Sequence, residues 1–185
     1  GIKVAFNPSG YHLKHRRQEI LDNLKNIDFL VVNEGEAADL VGISFSAKGG
    51  PASGLEKEVF KKLDDLTPGI VAVTDGPNGV VVSDGKSIYR AGIFREKNVA
   101  DRTGAGDAFG SGFTAGLMLA DLRNGSNRAN KYNSEAIKYA IRLASANATS
   151  VVEHIGATPG IITKKQFINE SRFADLEIKI TKIRD

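Results

Sequence analysis

The stretch that decides the fold is residues 101–109, Asp-Arg-Thr-Gly-Ala-Gly-Asp-Ala-Phe. Gly104 and Gly106 lack a Cβ, so the backbone can turn tightly and direct consecutive N–H groups at one point. The helix predicted to follow adds the positive end of its dipole, and the two features together favour a bound anion. Asp107 would repel a phosphate unless the site also needs a proton acceptor, as phosphoryl transfer to a hydroxyl does.

Three other interpretations of this stretch were weighed. A P-loop would require Gly-Lys-Ser/Thr after the glycines, and a Rossmann turn would require glycine or alanine where Phe109 stands. Neither pattern fits. The simplest alternative is a plain turn in which Asp107 only favours a helix N-terminus, and for a lone Gly-x-Gly it would be preferred.

The full run is longer than a lone Gly-x-Gly. It closely resembles the Asp-Thr-x-Gly-Ala-Gly-Asp signature of the ribokinase-like (PfkB) carbohydrate kinases, with Arg102 at the second position. The resemblance implies an enzyme that transfers a phosphoryl group from ATP to a primary hydroxyl of a sugar or related compound. Asp107 would be the base, and the backbone of Gly104, Ala105 and Gly106 would form the anion hole.

A second motif follows the predicted strand at 29–32, where the chain reads Asn33-Glu34-Gly35-Glu36. Polar groups at the carboxyl end of a buried strand lie where open α/β sheets bind ligands. From the residues alone, an ordinary helix cap formed by Asn33 and Glu36 is the preferred reading. The stretch also resembles the family's Asn-x-x-Glu motif, which implies that Asn33 and Glu36 order hydrated Mg²⁺ and the nucleotide phosphates.

Two further segments resemble nucleotide-binding parts of the same family. Thr74, Gly76 and Gly79 resemble its Thr-x-Gly-x-x-Gly loop, although a plain turn between strands remains open. Asn147 lies in a segment that resembles the lining of the adenine pocket. We place Asn147 near the base, with capping of its own helix as an equal alternative.

The resemblance also implies a site for a monovalent cation such as K⁺, formed by Asp101, Thr103 and the turn that begins at Gly156. A fixed positive charge on Arg102 could replace that ion. Glu153 and His154 are residue types that bind metals, but adjacent residues do not face each other on a regular element. We interpret both as surface residues.

Composition sets the class of protein. The chain has 185 residues, 41% hydrophobic residues, no cysteine and a formal net charge of +3. It is long enough for one domain with a real core, so residues 1–185 are predicted to be a single α/β domain. The scattered charge gives little reason to expect nucleic acid as a partner, and no apolar run suggests a membrane span. The absence of cysteine suits a cytoplasmic protein.

The order of predicted elements indicates an α/β fold with a mostly parallel sheet. We expect a buried strand at 2–6, a hairpin around 84–86, and an edge strand at 176–183. Gly110, Gly112 and Gly116 predict a helix that packs closely against a second one. The resemblance implies a ribokinase-like three-layer fold, of which this chain is the carboxyl-terminal, ATP-binding part, with the amino-terminal strands and the lid absent.

Two other hypotheses about function stay open. The chain could be a nucleotide-binding fragment or interaction module without turnover, or part of a nucleoside kinase of the same family. The strand at 2–6 should have an open edge, which predicts a homodimer or a companion amino-terminal chain. Alternatively, the strand at 176–183 folds back and covers that edge.

Overall fold

The computed structural model describes residues 2–43, 53–124 and 132–183. Its helices and strands follow the predicted order. The strands are β1 Ala5–Phe6, β2 Phe29–Asn33, β3 Ile70–Thr74, β4 Val80–Ser83, β5 Ser87–Ala91 and β6 Ile178–Lys182. The helices are α1 Gly10–Asn23, α2 Glu34–Val41, α3 Ser53–Leu66, α4 Ala105–Asn124, α5 Ser134–Val152 and α6 Lys164–Asn169, with short 3₁₀ turns at Leu24–Asn26, Gly76–Asn78 and Ser171–Phe173.

The six strands form one sheet in the order β1-β2-β3-β4-β5-β6. The pairs β1–β2 and β2–β3 are parallel, whereas β4 runs antiparallel to β3. The α/β class is confirmed, and parallel pairing covers the first three strands. The predicted hairpin is also present, because β4 and β5 are neighbours joined by a turn in which the N–H of Asp84 donates to the carbonyl of Ser87 at 3.2 Å.

The chain divides into two compact units. The first, called the sheet unit, comprises Gly1–Asp75, Val80–Arg90 and Ile180–Asp185, and the second, called the helical unit, comprises Gly76–Gly79 and Ala91–Lys179. In the sheet unit, β2 and β3 carry almost uninterrupted runs of buried apolar residues, as parallel strands buried on both faces do. One set of alternating side chains packs with α1, α2 and α3 in a cluster that includes Leu24, Leu30, Leu40, Leu63, Val32, Val71 and Val73.

The helical unit is organised around the long helices α4 and α5, which make the most extensive contact between any two elements described. A Cβ added at Gly112 would lie 2.9 Å from Cα of Ala144, and one at Gly116 would lie 2.6 Å from Cα of Ala140. The predicted close packing of two helices through small residues is therefore confirmed. A second cluster of Phe94, Ala146, Phe167 and Phe173 joins α5 to α6 and to the chain that precedes residue 101.

Two expectations about the strands are wrong. The segment 2–6 is not a buried strand, because only Ala5 and Phe6 pair with β2, and the side chains of Ile2 and Val4 are 93% and 39% exposed. This happens because β1 ends the strand order, so it has one neighbour instead of two. The carboxyl-terminal strand does not cover that edge either, since β6 is the neighbour of β5 at the opposite end of the order. β6 is nevertheless the edge strand that its alternating pattern predicts.

Candidate active site

The anion loop, residues 101–107, belongs to the helical unit and depends on the backbone of Gly104. Gly104 has a φ of +81°, and a Cβ there would lie 2.6 Å from Cα and 2.7 Å from the carbonyl oxygen of Ala157. A side chain is therefore disfavoured twice, by the left-handed conformation and by contact with another stretch of backbone. The sequence predicted the tight turn, but the contact with Ala157 is tertiary and leaves no local signal.

Helix α4 begins directly after this turn. The N–H of Ala108 donates to the carbonyl of Gly104 at 2.8 Å, so Asp107 lies in the first helical turn with its side chain exposed. A carboxylate there interacts favourably with the helix dipole. A Cβ added at Gly106 would meet nothing within 4 Å. Gly106 therefore leaves open space beside the backbone N–H groups at the start of α4, and that space is available to a ligand.

Asp101 connects the start of the loop to the turn after α5. Its Oδ1 accepts the N–H of Thr103 at 2.9 Å, and its Oδ2 accepts the N–H of Gly156 at 3.1 Å. These hydrogen bonds, that of Thr103 first, hold the pKa of Asp101 below its ordinary value. The structure thus brings together Asp101, Thr103 and Gly156, the three residues predicted for a cation. Arg102 points to Glu96, with 3.5 Å between Nη1 and Oε1.

Asn147 is buried on α5, and both ends of its amide have partners. Nδ2 donates to the carbonyl of Ala108 at 2.8 Å, and Oδ1 accepts the N–H of Ile162 at 3.0 Å. The alternative that Asn147 caps its own helix is therefore wrong, because it cross-links α5 to the first turn of α4. It also borders a mostly apolar cavity of about 320 Å³. The other residues that line it include Ser111, Gly112, Ala115, Tyr139, Leu143 and Phe167.

In the sheet unit, the predicted pair at the end of β2 forms a complete capping box. Oδ1 of Asn33 accepts the N–H of Glu36 at 2.8 Å, and Oε2 of Glu36 accepts the N–H of Asn33 at 2.9 Å. Thr74 is the register partner of Asn33 on β3, so these three residues lie together at the carboxyl ends of two parallel strands. The capping arrangement leaves the carboxylate of Glu36 fixed at this edge, where it could act on Mg²⁺ through water.

Glu34 is a residue at this edge that the sequence reasoning passed over. Burial, and after it the charge of Asp75, raises the pKa of Glu34. The two carboxylates approach each other because each follows the strand end whose last residues, Asn33 and Thr74, are paired. Their position directly after two predicted parallel strands is a signal that could have found them.

The predicted nucleotide loop between β3 and β4 contains a 3₁₀ turn at Gly76–Asn78. Gly76 and Gly79 have φ values of +47° and +101°. A Cβ at Gly79 would lie 2.1 Å from the carbonyl oxygen of Ala91, so this glycine is required for close backbone packing, whereas a Cβ at Gly76 would meet nothing within 4 Å. The structural requirement at Gly79 agrees with the plain-turn reading, and the open space at Gly76 is compatible with a ligand.

The interpretation of Glu153 as a surface residue is wrong, whereas His154 is exposed as expected. The side chain of Glu153 is only 6% exposed, and both its oxygens pair with the guanidinium of Arg172, with 3.0 Å between Oε2 and Nη2. The N–H of Lys97 also donates to Oε1 at 2.7 Å. Burial alone would raise the pKa of Glu153, but the hydrogen bonds from Arg172 and Lys97 outweigh it and lower the pKa.

The described parts of the chain contain neither a candidate membrane-spanning helix nor a preformed metal cluster. No helix within residues 2–43, 53–124 and 132–183 has the length and apolar character of a membrane span. Across the same ranges, no cluster of three or more His, Asp or Glu side chains is arranged to hold a metal ion.

Comparison with known proteins adds three relatives. The chain is 27% identical over 179 residues to the ribokinase of Lactococcus lactis subsp. lactis, covering 97% of this chain and 48% of that protein. It is 34% identical over 123 residues to the ATP-dependent 6-phosphofructokinase of Thermoanaerobacterium thermosaccharolyticum, covering 63% of this chain and 34% of that protein. The structure of ribokinase from Giardia lamblia superposes with a TM-score of 0.72 at 25% identity, covering 90% of this chain and 49% of that one.

The chain therefore spans about half the length, or less, of the relatives that it matches. The fold is ribokinase-like, as the superposition on the Giardia enzyme shows. The match to the family described as "pfkB family carbohydrate kinase" extends over residues 2–164 and includes both motifs quoted above. This protein is a member of the pfkB family of carbohydrate kinases.

Proposed function

We propose that the protein takes part in ATP-dependent phosphorylation of a primary hydroxyl on a sugar or related compound. The observation that carries the proposal is the anion loop, where a left-handed Gly104 held against Ala157 delivers Asp107 at the first turn of α4. The loop pairs N–H groups that suit a phosphate with a carboxylate that suits a hydroxyl proton. Neither a simple turn nor a passive anion site needs both.

In this mechanism the carboxylate of Asp107 accepts the proton of the substrate hydroxyl. The hydroxyl oxygen forms a bond to the γ-phosphorus of ATP while the bond from that phosphorus to the bridging oxygen breaks, and ADP leaves. The N–H groups of Gly104, Ala105 and Gly106 stabilise the charge that develops on the transferred group, for which the N–H of Ala105 exchanges its 3.3 Å hydrogen bond to the carbonyl of Arg102. Glu36 and Asn33 would hold hydrated Mg²⁺, which when bound would neutralise phosphate charge. Thr74, Gly76, Gly79 and Asn147 are the residues we assign to the nucleotide.

The base assignment is tested by Asp107→Asn in the complete protein. Because a general base acts on the chemical step, we expect kcat to fall by roughly 10²-fold or more while ATP affinity changes little. A coupled assay follows ADP release with each member of a panel of sugars and nucleosides as the acceptor, and calorimetry gives the ATP affinity. Asp175→Asn, an exposed carboxylate outside the loop, is the control. A near-normal kcat in Asp107→Asn would remove the assignment.

A second candidate is a nucleotide-binding module without turnover. It is favoured by the mostly apolar cavity of about 320 Å³ beside Asn147, which suits a nucleotide base and requires no catalytic group. Binding of Mg·ATP without phosphotransfer to any acceptor in the panel would support it. Turnover with nucleosides and not with sugars would instead make the protein a nucleoside kinase.

We also propose that K⁺ activates the enzyme through Asp101, Thr103 and Gly156. The support is that hydrogen bonds bring these three together, and that the lowered pKa keeps Asp101 ionised. A cation there would steady the loop that holds the phosphate. The test compares the rates of the enzyme in potassium and in tetramethylammonium salts of equal ionic strength. Equal rates would show that no K⁺ is needed. In that case the positive charge of Arg102 could replace the ion.

A further inference from the structure

The chain before the anion loop is attached to the end of α5 at several points. The carbonyl of Val152 accepts the N–H of Ala100 at 2.8 Å and that of Asp101 at 3.2 Å. Glu153 accepts the N–H of Lys97 through its side chain and the amide of Asn98 through its carbonyl, the latter at 3.4 Å. Two more contacts, of Asp101 with Gly156 and of Gly104 with Ala157, continue the attachment into the loop itself.

Among these contacts, that of Glu153 stands out because a buried carboxylate is costly unless it is paired. Arg172 supplies the charge, since its guanidinium meets both oxygens of Glu153 and is itself 19% exposed. Arg172 in turn is held by Glu170, at 2.9 Å, and lies 4.3 Å from the centre of the Phe173 ring. The carboxylate of Glu153 therefore binds both the guanidinium of Arg172 and the backbone N–H of Lys97, which precedes the anion loop.

We infer that Glu153 is a positioning residue for phosphoryl transfer, which fixes the approach to the anion loop and so the direction of its N–H groups and of Asp107. This inference rests on the proposed function, because its effect on rate requires the loop to act on phosphate. Displacement of a reacting group by about 1 Å can cost up to roughly 10²-fold in rate. A carboxylate that holds the loop from outside the site can therefore matter to the chemistry without touching substrate.

The test compares three variants of the complete protein. Glu153→Ala removes the acceptor for Lys97, whereas Glu153→Gln keeps an oxygen that can accept the same N–H. Asn133→Ala is the matched control, because Asn133 caps the opposite end of α5, where its side chain accepts the N–H of Ala136 at 2.8 Å. All three should lower Tm, so kcat is compared at a temperature at which each variant is folded.

We expect Glu153→Ala to lower kcat by about tenfold or more, with a smaller change in the KM for the acceptor. It should also speed amide hydrogen exchange in a peptide that spans residues 97–106. Glu153→Gln should recover most of the rate, and Asn133→Ala should change neither kcat nor exchange in that peptide. Equal losses of kcat in Glu153→Ala and Asn133→Ala, or unchanged exchange at 97–106, would overturn the inference.

The proposed function can fail separately. If the unsubstituted protein transfers no phosphoryl group, the proposed function is refuted, and the inference is then decided by hydrogen exchange together with the affinity for Mg·ADP. That affinity should weaken in Glu153→Ala and stay unchanged in Asn133→Ala. An unchanged Mg·ADP affinity in both variants would count against Glu153 as the residue that positions the loop.

Discussion

Gly104 and Gly106 lie two residues apart in the same loop but have different structural roles. Gly104 has a positive φ and backbone against it, whereas a Cβ at Gly106 would meet open space. Gly106 also lies within α4. The first glycine is therefore needed to build the loop, and the second leaves room for what the loop binds.

This difference predicts opposite results for two alanine substitutions. Gly104→Ala should lower the free energy of unfolding by about 2 kcal/mol or more, because a left-handed alanine is strained and its Cβ would press on Ala157. Gly106→Ala should keep or slightly raise stability, since alanine favours a helix by up to about 1 kcal/mol over glycine. It should nevertheless weaken ATP binding.

Urea unfolding gives the two stabilities, and calorimetry gives the ATP affinity of Gly106→Ala. Each variant serves as the other's control, because both add one methyl group to the same loop. Equal destabilisation by the two substitutions would contradict the division of roles. Undiminished ATP affinity in Gly106→Ala would show that phosphate does not approach this part of the backbone.

At the level of single residues, the sequence predicted the chemical groups of the anion loop better than the distant residues that hold the loop in place. Asp107 and the glycines are contiguous, so their pattern is visible in one stretch. Glu153 was misread as exposed because its partners Lys97 and Arg172 are 56 and 19 residues away, and nothing local distinguishes it from a solvated glutamate. Asn147 was placed on the right helix, but its two amide partners could not be read from the pattern.

Among the elements, α2 combines a structural and a candidate catalytic role at its first turn. Asn33 and Glu36 form a reciprocal capping box, and the same two residues are those that resemble the family's Asn-x-x-Glu motif. The two readings that the sequence left open are therefore compatible. Glutamine also serves at the third position of a capping box, which allows the charge to be removed while the cap is kept.

We expect Glu36→Gln to raise the Mg²⁺ concentration needed for half-maximal activity and to leave Tm nearly unchanged. Asn33→Ala should lose the cap at a cost of about 1 kcal/mol in unfolding free energy. Activity across a Mg²⁺ titration and thermal unfolding of both variants are the measurements. If Glu36→Gln lowers stability as Asn33→Ala does and its Mg²⁺ dependence is that of the unsubstituted protein, Glu36 has only the capping role.

The accuracy of the element predictions follows the strength of the pattern. The pattern is strongest where an element is buried. The continuous apolar runs of β2 and β3 and the small residues on the facing sides of α4 and α5 are visible in the sequence itself. The segment 2–6 carries the same apolar character, but only Ala5 and Phe6 pair. Composition reports what a strand could bury and does not report whether it has a neighbour on each side.

For the whole molecule, the strand order leaves β1 at one end of the sheet with Ile2 and Val4 exposed beside it. Unpaired strand edges that carry apolar side chains tend to recruit another chain. We therefore expect the 185-residue chain, taken alone, to form a dimer or aggregate through β1, or to bind a companion amino-terminal chain there. It should bind adenine nucleotide weakly and turn over no sugar.

Light scattering after size-exclusion chromatography measures the association, and the coupled assay measures turnover. Val4→Lys should shift the isolated chain toward the monomer because a charge on the edge opposes pairing. Lys179→Glu, a charge change on the exposed β6, is the control and should leave the association unchanged. A stable monomer that phosphorylates a simple sugar would contradict the prediction in both parts.

The hydrogen bond from Gly156 to Asp101 joins residues 55 positions apart. Contacts of such separation form only after both partners exist, and closing a long stretch of chain carries an entropic penalty. During synthesis, the anion loop emerges from the ribosome before the turn at Gly156 has been translated. The loop therefore cannot reach its final conformation until α5 and the turn that follows it have also emerged.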